Sequence, residues 1–341
     1  MIELPYGRTP YPLDPGPSAT VLTPPGLPPP AELGALLDAA LAAPVGRPPL
    51  GQMVRPGARV TIIVSDATRR EPRRAFLQAL ARHLPAARWT LALATGTHGP
   101  SPIADLDLPE DLLRGVPIIN HDGHRADDLV ELGVTTRGTP VRVHRCVIEA
   151  DLVIATGCIR PHYFAGFGAG AKAIFPGLGE AASIRTNHAW KTHPRARAGI
   201  VDDNPCRADL EEAVRRVPAP TFLLNGVAAP DGLIHAAVAG DLEAAFRAGA
   251  ALARPWFHVA APPAALVIAS DALPVTASLY QAAKIAAAVA PLVEPNGTLV
   301  LAAECPDGIG PLETVNEAIF RIGVLPRLPP QARLVLVSDL T

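Results

Sequence analysis

The sequence predicts an α/β fold of two domains with mostly parallel sheets and an active site in the interdomain cleft. Three observations carry this. Residues 59–65 (RVTIIVS) and 151–156 (DLVIAT) are apolar along nearly their whole length, as strands buried on both faces of a parallel sheet are. Such runs alternate with helical stretches almost throughout the chain. At least three of them end directly in polar residues: Ser65-Asp66-Ala67-Thr68-Arg69, Thr95-Gly96-Thr97-His98, and Thr156-Gly157 leading to His162. In open α/β sheets, ligands bind beyond the carboxyl ends of the strands. A length of 341 residues suits two domains. The Pro-rich break around 255–263 divides the chain into an N-terminal α/β domain, 1–258, and a smaller C-terminal α/β domain, 259–341.

In chain order, residues 1–30 are Pro-rich and read as an extended arm. Residues 31–43 are helical, with Leu33, Leu36, Leu37 and Leu41 on one face. After a Pro/Gly linker comes the strand 59–65, then a helix opened by Pro72 and running to about His83. Residues 89–94 form the next strand. A short helix at 109–114 and a short strand at 117–119 precede Asn120-His121-Asp122 and a polar loop. Residues 141–147 alternate like a strand, and 151–156 is the central strand. Beyond it, 205–217 is helical, 221–227 extended and 242–252 helical. A second unit starts with the strand 265–270, followed by a helix at 278–290 and strands at 298–303 and 332–337.

Composition narrows the function classes. Hydrophobic residues make up 49% and charged residues 18%, ample for a buried core and incompatible with wholesale disorder. A net charge of -2 with no basic block argues against nucleic acid as a partner. No apolar stretch approaches the ~20 residues of a membrane span, and the opening MIELPYGRTPYPLD has no signal-peptide pattern. The 4 cysteines are scattered without a C-x-x-C pair. That fits a reducing cytoplasm better than a disulfide framework or a zinc knuckle.

The chemistry concentrates in residues 157–188 (GCIRPHYFAGFGAGAKAIFPGLGEAASIRTNH). His162 sits in a Pro-His-Tyr turn, followed by Gly166, Gly168 and Gly170, the lone Lys172, a Gly/Pro break and His188. Glycines let backbone approach a ligand, and an amine in such a loop has an anionic or electrophilic target; the alternative is a tight turn with a solvated lysine. Ala171 and Ala173 rule out a P-loop, and the glycine spacing is not a dinucleotide fingerprint. Asp66, Arg69, His98 and His162 fall on one rim of strand ends. His98 and His162, from different strand ends, can face each other across a cleft and exchange roles as acid and base. His98, His162 and His188 could instead hold zinc in a hydrolase, although no H-x-x-x-H or H-x-H pair exists among them. His121 and His124, flanking Asp122, form a weaker metal candidate and read mostly as surface loop. A third alternative is a non-catalytic cofactor-binding protein that keeps the glycine loop and lysine.

At these residues the sequence resembles the nickel-dependent lactate racemase family. The matching elements are Ser65–Arg69, Ala94–His98, the block from Pro161 through Lys172 and Pro176-Gly177, Asn187-His188, and Tyr280-Gln281-Ala282-Ala283-Lys284. The resemblance spans about residues 55–310. It implies racemisation or epimerisation of a 2-hydroxy acid, with C2 hydride moving to a nickel-pincer nucleotide and back through a 2-keto acid. Under that resemblance Lys172 carries the cofactor through a thioamide link, and His188 completes the nickel's coordination plane. Gly166, Gly168 and Gly170 lie against the cofactor, and His98 and His162 are the catalytic bases. Arg69, Tyr280, Gln281 and Lys284 surround substrate and cofactor; Asp66 orients Arg69 or binds the cofactor. Cofactor-biosynthesis proteins become transient partners. Arg160 stands where the family usually has an acidic residue, so it either adds charge to the site or pairs with a surface carboxylate such as Glu180. The region after Gly310, which helps close the family's site, is compressed here.

Overall fold

The structure is a computed structural model and describes residues 1–23, 25–310 and 328–339. The chain divides into two compact units, one of Pro24–His258 and one of Met1–Thr23 with Val259–Thr341. The first 23 residues therefore group with the C-terminal part, not with residues 24–258 as the boundary 1–258 expects. The physical reason is backbone pairing. Strands β1 (Ile2–Leu4) and β2 (Tyr11–Leu13) form an antiparallel hairpin, and Gly7 makes a parallel bridge to Ala272. The N-terminal arm is thus partly stranded.

The larger unit is built on a six-stranded sheet. Its elements in order are α1 (Leu33–Ala42), α2 (Leu50–Met53), β3 (Arg59–Ser65), α3 (Arg73–His83), β4 (Arg88–Ala94), α4 (Glu110–Leu113) and β5 (Ile118–Asn120). An antiparallel hairpin of β6 (Leu129–Val134) and β7 (Pro140–His144) follows, then β8 (Leu152–Ile159) and the short pair β9 (Pro161–His162) and β10 (Gly166–Phe167). Helices α5 (Ala181–Ala189) and α6 (Pro205–Val214), strands β11 (Thr221–Ala228) and β12 (Ile234–Gly240), and α7 (Ala244–Phe257) complete the unit.

The strand order is β12-β11-β8-β3-β4-β5. Pairings from β11 through β8, β3 and β4 to β5 are parallel, and β12 adds an antiparallel edge. The chain runs outward from β3 through β4 to β5, then returns to place β8 on the other side of β3. The boundary between β3 and β8 is a topological switch point, where the loops leaving the strands diverge and open a crevice. Every residue of β8 is buried, which explains its continuous apolar run. Two apolar clusters cover the sheet. One centres on Ile62, Phe76, Leu77 and Phe222, the other on Ile63, Phe167, Phe175 and Phe246.

Two strands depart from the expected pattern. The polar loop after Asn120 contains β6, whose Gly133 interrupts the alternation. The segment after β11 returns as β12 (IHAAVAG), whose small residues give little strand signal. The helix expected over 242–252 extends to Phe257 and passes through Pro255.

The smaller unit contains a three-stranded parallel sheet of β13 (Ala264–Ser270), β14 (Val293–Ala302) and β15 (Arg333–Val337), covered by α8 (Leu279–Val289). Ser278 caps α8 by accepting the Gln281 N–H at 3.4 Å. Residues 311–327, the compressed stretch expected to help close the site, lie outside the described residues. Among the described residues no helix is long and apolar enough to cross a membrane.

Candidate active site

The carboxyl end of β3 delivers Asp66, which is 3% exposed. Its Oδ1 accepts the Thr68 N–H at 3.0 Å, and its Oδ2 lies 2.7 Å from Nδ1 of His98. A carboxylate only accepts, so Nδ1 of His98 carries a proton, and in the neutral ring the lone pair is at Nε2. Burial alone would raise the Asp66 pKa. The bonds from His98 and Thr68 outweigh it and hold the carboxyl below its ordinary value. Asp66 therefore orients His98, a role not assigned to it above. The loop itself is clamped by Arg73, only 5% exposed, whose Nε donates to the Ser65 carbonyl at 2.8 Å and whose Nη2 donates to the carbonyls of Asp66 and Arg69. Arg69 is exposed, and its charge reaches Asp66 on one side and His162 and Lys172 on the other.

The carboxyl end of β8 delivers the second group. His162 is followed by Phe164, whose ring is 2% exposed and acts as a hub. The His162 ring meets it edge-on at 4.5 Å, the His188 ring at 4.9 Å, and Lys172 Nζ lies 5.4 Å from its centroid. His162, Lys172 and His188 are thus brought together, on the short strand β9, a 3₁₀ turn and helix α5 respectively. The loop of His98 is tied to this group through backbone. Gly96 N–H donates to the Gly177 carbonyl at 2.9 Å, and Gly177 N–H donates to the Lys172 carbonyl at 2.9 Å.

Burial sets the electrostatics of this group. Burial first, then the charges of Lys172 and its neighbours, pushes His162 well below 6.5. Burial and the nearby Arg207 bring Lys172 down to about 7. Burial and Lys172 bring His188 down to about 3. All three shifts favour nitrogen lone pairs over cations. Nδ1 of His162 accepts the Ala165 N–H at 3.2 Å, which leaves its single proton on Nε2. His98 is thus bonded as a donor at Nδ1 and His162 as an acceptor there. For His162 to accept a proton at Nε2, its bond to Ala165 has to give way.

Several residues that sequence reasoning missed hold this arrangement. Arg207 is fully buried and lies 4.1 Å over the Phe246 ring. Its Nε donates to the Ala165 carbonyl at 3.2 Å and its Nη2 to the Phe167 carbonyl, holding the backbone that follows His162. Asn204 caps α6 by accepting the Arg207 N–H at 3.1 Å, with Pro205 in the first turn. Its amide also donates to the Phe164 carbonyl at 2.8 Å. An Asn-Pro pair before a helix was a readable cap signal; the reach back to Phe164 was not. Glu71 accepts from Ser65 Oγ at 2.6 Å and from the Cys158 N–H at 3.1 Å, joining the ends of β3 and β8. Arg160 approaches this carboxylate at 3.9 Å and so pairs with Glu71; Glu180 is engaged by Arg142.

The glycines divide. Gly166 has φ +76, and a Cβ there would lie 2.2 Å from the Ile200 carbonyl oxygen. Gly170 has φ +65, and its Cβ would meet the Phe246 ring at 2.6 Å. These two are required by the protein's own packing. Gly168 shows neither constraint.

In the smaller unit, Tyr280, Gln281 and Lys284 sit on the first turns of α8, all half-buried. Lys284 Nζ donates to Gln281 Oε1 and lies 5.3 Å from the Tyr280 centroid.

The zinc arrangement of His98, His162 and His188 finds no support. His98 is turned onto Asp66, and among the described residues no group of three or more His, Cys, Asp or Glu side chains is placed to hold a metal ion. His121 is not surface loop: it is 1% exposed and donates from Nε2 to the Gly179 carbonyl at 3.0 Å. Its aromatic neighbour is His144, 5.8 Å away and edge-on, while His124 is exposed.

This buried pair makes a stability prediction. His144 accepts the Cys146 N–H at Nδ1, 3.2 Å away. Burial, then His121, Arg145 and Arg125, lowers it from 6.5 to about 4, with Asp128 opposing. The unfolded chain thus takes up this proton at higher pH than the folded one. The stabilisation is complete above about 6.5 and is lost as pH falls towards about 4. It amounts to on the order of 3 kcal/mol. His144→Asn keeps an acceptor for the Cys146 N–H and should flatten the pH dependence of urea unfolding in that window. A slope equal to wild type would contradict the assignment.

A family model for the lactate racemase N-terminal domain matches residues 6–199. The lactate racemase of Thermoanaerobacterium thermosaccharolyticum is 31% identical over 284 residues, covering 81% of this chain and 66% of the relative. That of Lactiplantibacillus plantarum is 30% identical over 283 residues, covering 80% and 66%. The matched part of this chain therefore spans about two thirds of those relatives' length. Among solved structures, the lactate racemase apoprotein from T. thermosaccharolyticum superposes with a TM-score of 0.87 at 26% identity, over 99% of this chain and 88% of that one. A structural-genomics protein from Thermotoga maritima reaches 0.64 at 16% identity, over 90% and 88%, a likeness of fold alone. The family match runs over more than half of the sequence, through the stretch that carries Asp66, His98, His162, Lys172 and His188: the chain belongs to the lactate racemase family.

Proposed function

We propose that this protein racemises or epimerises a 2-hydroxy acid, with a nickel-pincer nucleotide held by Lys172 and His188. The observation that carries the proposal is the set of three half-buried side chains, His162, Lys172 and His188, whose nitrogens are shifted towards their neutral forms around one phenylalanine ring. A neutral imidazole is a ligand suited to Ni(II), and a neutral amine is a nucleophile able to anchor a cofactor. The residues present therefore fit the group. When bound, the nucleotide supplies hydride acceptance and return at C2, chemistry that no side chain offers.

The chain's own residues handle position and protons. His98 Nε2 takes the hydroxyl proton, and Asp66 stabilises the imidazolium that results. His162 presents the second proton-handling group from the other strand end. Arg69, exposed beside Asp66 and felt by His162 and Lys172, suits a planar fork for the substrate carboxylate. A reaction in which a proton leaves on one side and returns on the other needs one histidine as base and the other as imidazolium acid, so His162 has to take up a proton before it can return one.

The test is protein produced together with the cofactor-biosynthesis proteins. Intact mass should show an added nucleotide, and metal analysis should show nickel. Chiral chromatography should then show interconversion within a panel of lactate, malate, 2-hydroxyglutarate and gluconate. Nickel-loaded protein that interconverts no 2-hydroxy acid overturns the activity. Zinc with ester or amide hydrolysis would favour the zinc-type hydrolase.

A further inference from the structure

We propose that Asp209 and Asn187 form a positioning relay that fixes the tautomer of His188 and thereby keeps its Nε2 unprotonated. Two buried side chains make the relay, Asn187 on α5 and Asp209 on α6. Asp209 is fully buried. Its carboxylate accepts from Thr135 Oγ1, from Thr139 Oγ1 at 2.7 Å, and from Asn187 Nδ2 at 2.8 Å. Asn187, also fully buried, donates from the same nitrogen to the Cys206 carbonyl at 3.2 Å.

The usual ambiguity of an amide's orientation is removed here. Both groups at the nitrogen end, a carboxylate and a backbone carbonyl, accept. The nitrogen therefore has to face them, and the oxygen has to face the other way. That oxygen lies 3.2 Å from Nδ1 of His188 and also receives the Cys206 thiol at 3.4 Å. An amide oxygen only accepts, so His188 Nδ1 carries the proton and Nε2 carries the lone pair. Free imidazole prefers the opposite tautomer, with the proton on Nε2. The arrangement works against that preference at a residue half-buried next to Phe164 and Lys172. It has the form of the outer-shell partner that a metal-ligating histidine needs. The carboxylate differs in acting one residue further out, through an amide.

That His188 uses this lone pair towards nickel rests on the function proposed above; the tautomer itself does not. The experiment separates the two. Apo protein labelled with ¹⁵N-histidine gives two-bond ¹H–¹⁵N correlations that report the tautomer of each ring, and His188→Ala assigns the signal. Wild type should show His188 protonated at Nδ1; protonation at Nε2 overturns the relay without any variant being needed. In Asp209→Asn the amide of Asn187 can turn over to accept, presenting its NH₂ to His188 and driving the proton to Nε2. Asn187→Leu removes the acceptor and should relax the ring towards the same Nε2-protonated form. A folded variant of either kind with an unchanged Nδ1–H pattern overturns the relay. A third readout is nickel retention by cofactor-loaded protein during dialysis, where the variants should hold metal about 10- to 100-fold more weakly. A tautomer change with nickel retention intact supports the relay and counts against His188 as the nickel ligand.

Discussion

Replacing His98 with alanine should lower kcat/KM for racemisation by about 10²-fold or more, and by the same factor from either enantiomer. Equality follows from thermodynamics. Two enantiomers have an equilibrium constant of one, so the two kcat/KM values cannot be changed separately. What can differ between directions is kcat and KM individually, because His98 and His162 are bonded differently at Nδ1. His98 Nδ1 donates to Asp66 at 2.7 Å, whereas His162 Nδ1 accepts from Ala165 at 3.2 Å. Asp66→Asn probes the same dyad with little change of shape. An amide lacks the charge that stabilises the His98 imidazolium, and it no longer dictates which ring nitrogen is protonated. The variant should lose rate in the same direction as His98→Ala, with the loss concentrated in kcat, as for an interaction strengthened when the proton arrives. Binding of the cofactor, followed by intact mass, should be unaffected. His98→Ala racemising at the wild-type rate would remove His98 from the chemistry. A loss confined to cofactor content would make the Asp66–His98 pair a structural element.

The rim of the site was legible because it depends on local signals. Ser65-Asp66 and Thr95-Gly96-Thr97-His98 follow apolar runs without an intervening turn, and a parallel strand has to end at the ligand side of the sheet. The structure confirms β3 as Arg59–Ser65 and places β8 beside it at a switch in strand order. Other features depend on contacts far apart in sequence. Arg207 reaches Ala165 and Phe167, and Asn204 reaches Phe164. A buried Asp209 in the middle of α6 looks like any helical aspartate until Thr135, Thr139 and Asn187 converge on it.

In the glycine loop, packing that the sequence could not show sets its own demand. At Gly166 and Gly170 the Ile200 carbonyl and the Phe246 ring occupy the space a side chain would need. The strand β12 escaped for the opposite reason. Its Ala- and Gly-rich sequence has weak propensity, and pairing with β11 through Asn225↔Val238 and its neighbours supplies the stability. His121 and His144 were hidden because a loop histidine and a strand-end histidine gave no sign of facing each other.

Lys172→Ala is expected to have the largest effect of any single substitution in the chain: no covalent adduct by intact mass and racemisation reduced to background. The amine lies in a 3₁₀ turn, Gly170–Ala173, and is lowered to about 7 by burial and then by Arg207. An ordinary lysine would be almost wholly cationic at neutral pH and a poor nucleophile. Here a substantial fraction is neutral, so cofactor attachment during loading should rise with pH through about 7 and level off above it, well short of the ordinary lysine range. Lys172→Arg separates charge from nucleophilicity. The guanidinium preserves a cation beside Phe164 but has no lone pair to give, so it should fail to form the adduct as completely as alanine does. Arg207→Met should act on the same amine from a distance: with that positive charge removed, the attachment profile should shift to higher pH while the adduct still forms. Folding is checked by thermal melting, since Arg207 also holds the Ala165 and Phe167 carbonyls. Full nickel content and undiminished racemisation in Lys172→Ala would show that the cofactor is held by other groups. Adduct formation in that variant would place the covalent link on a different residue.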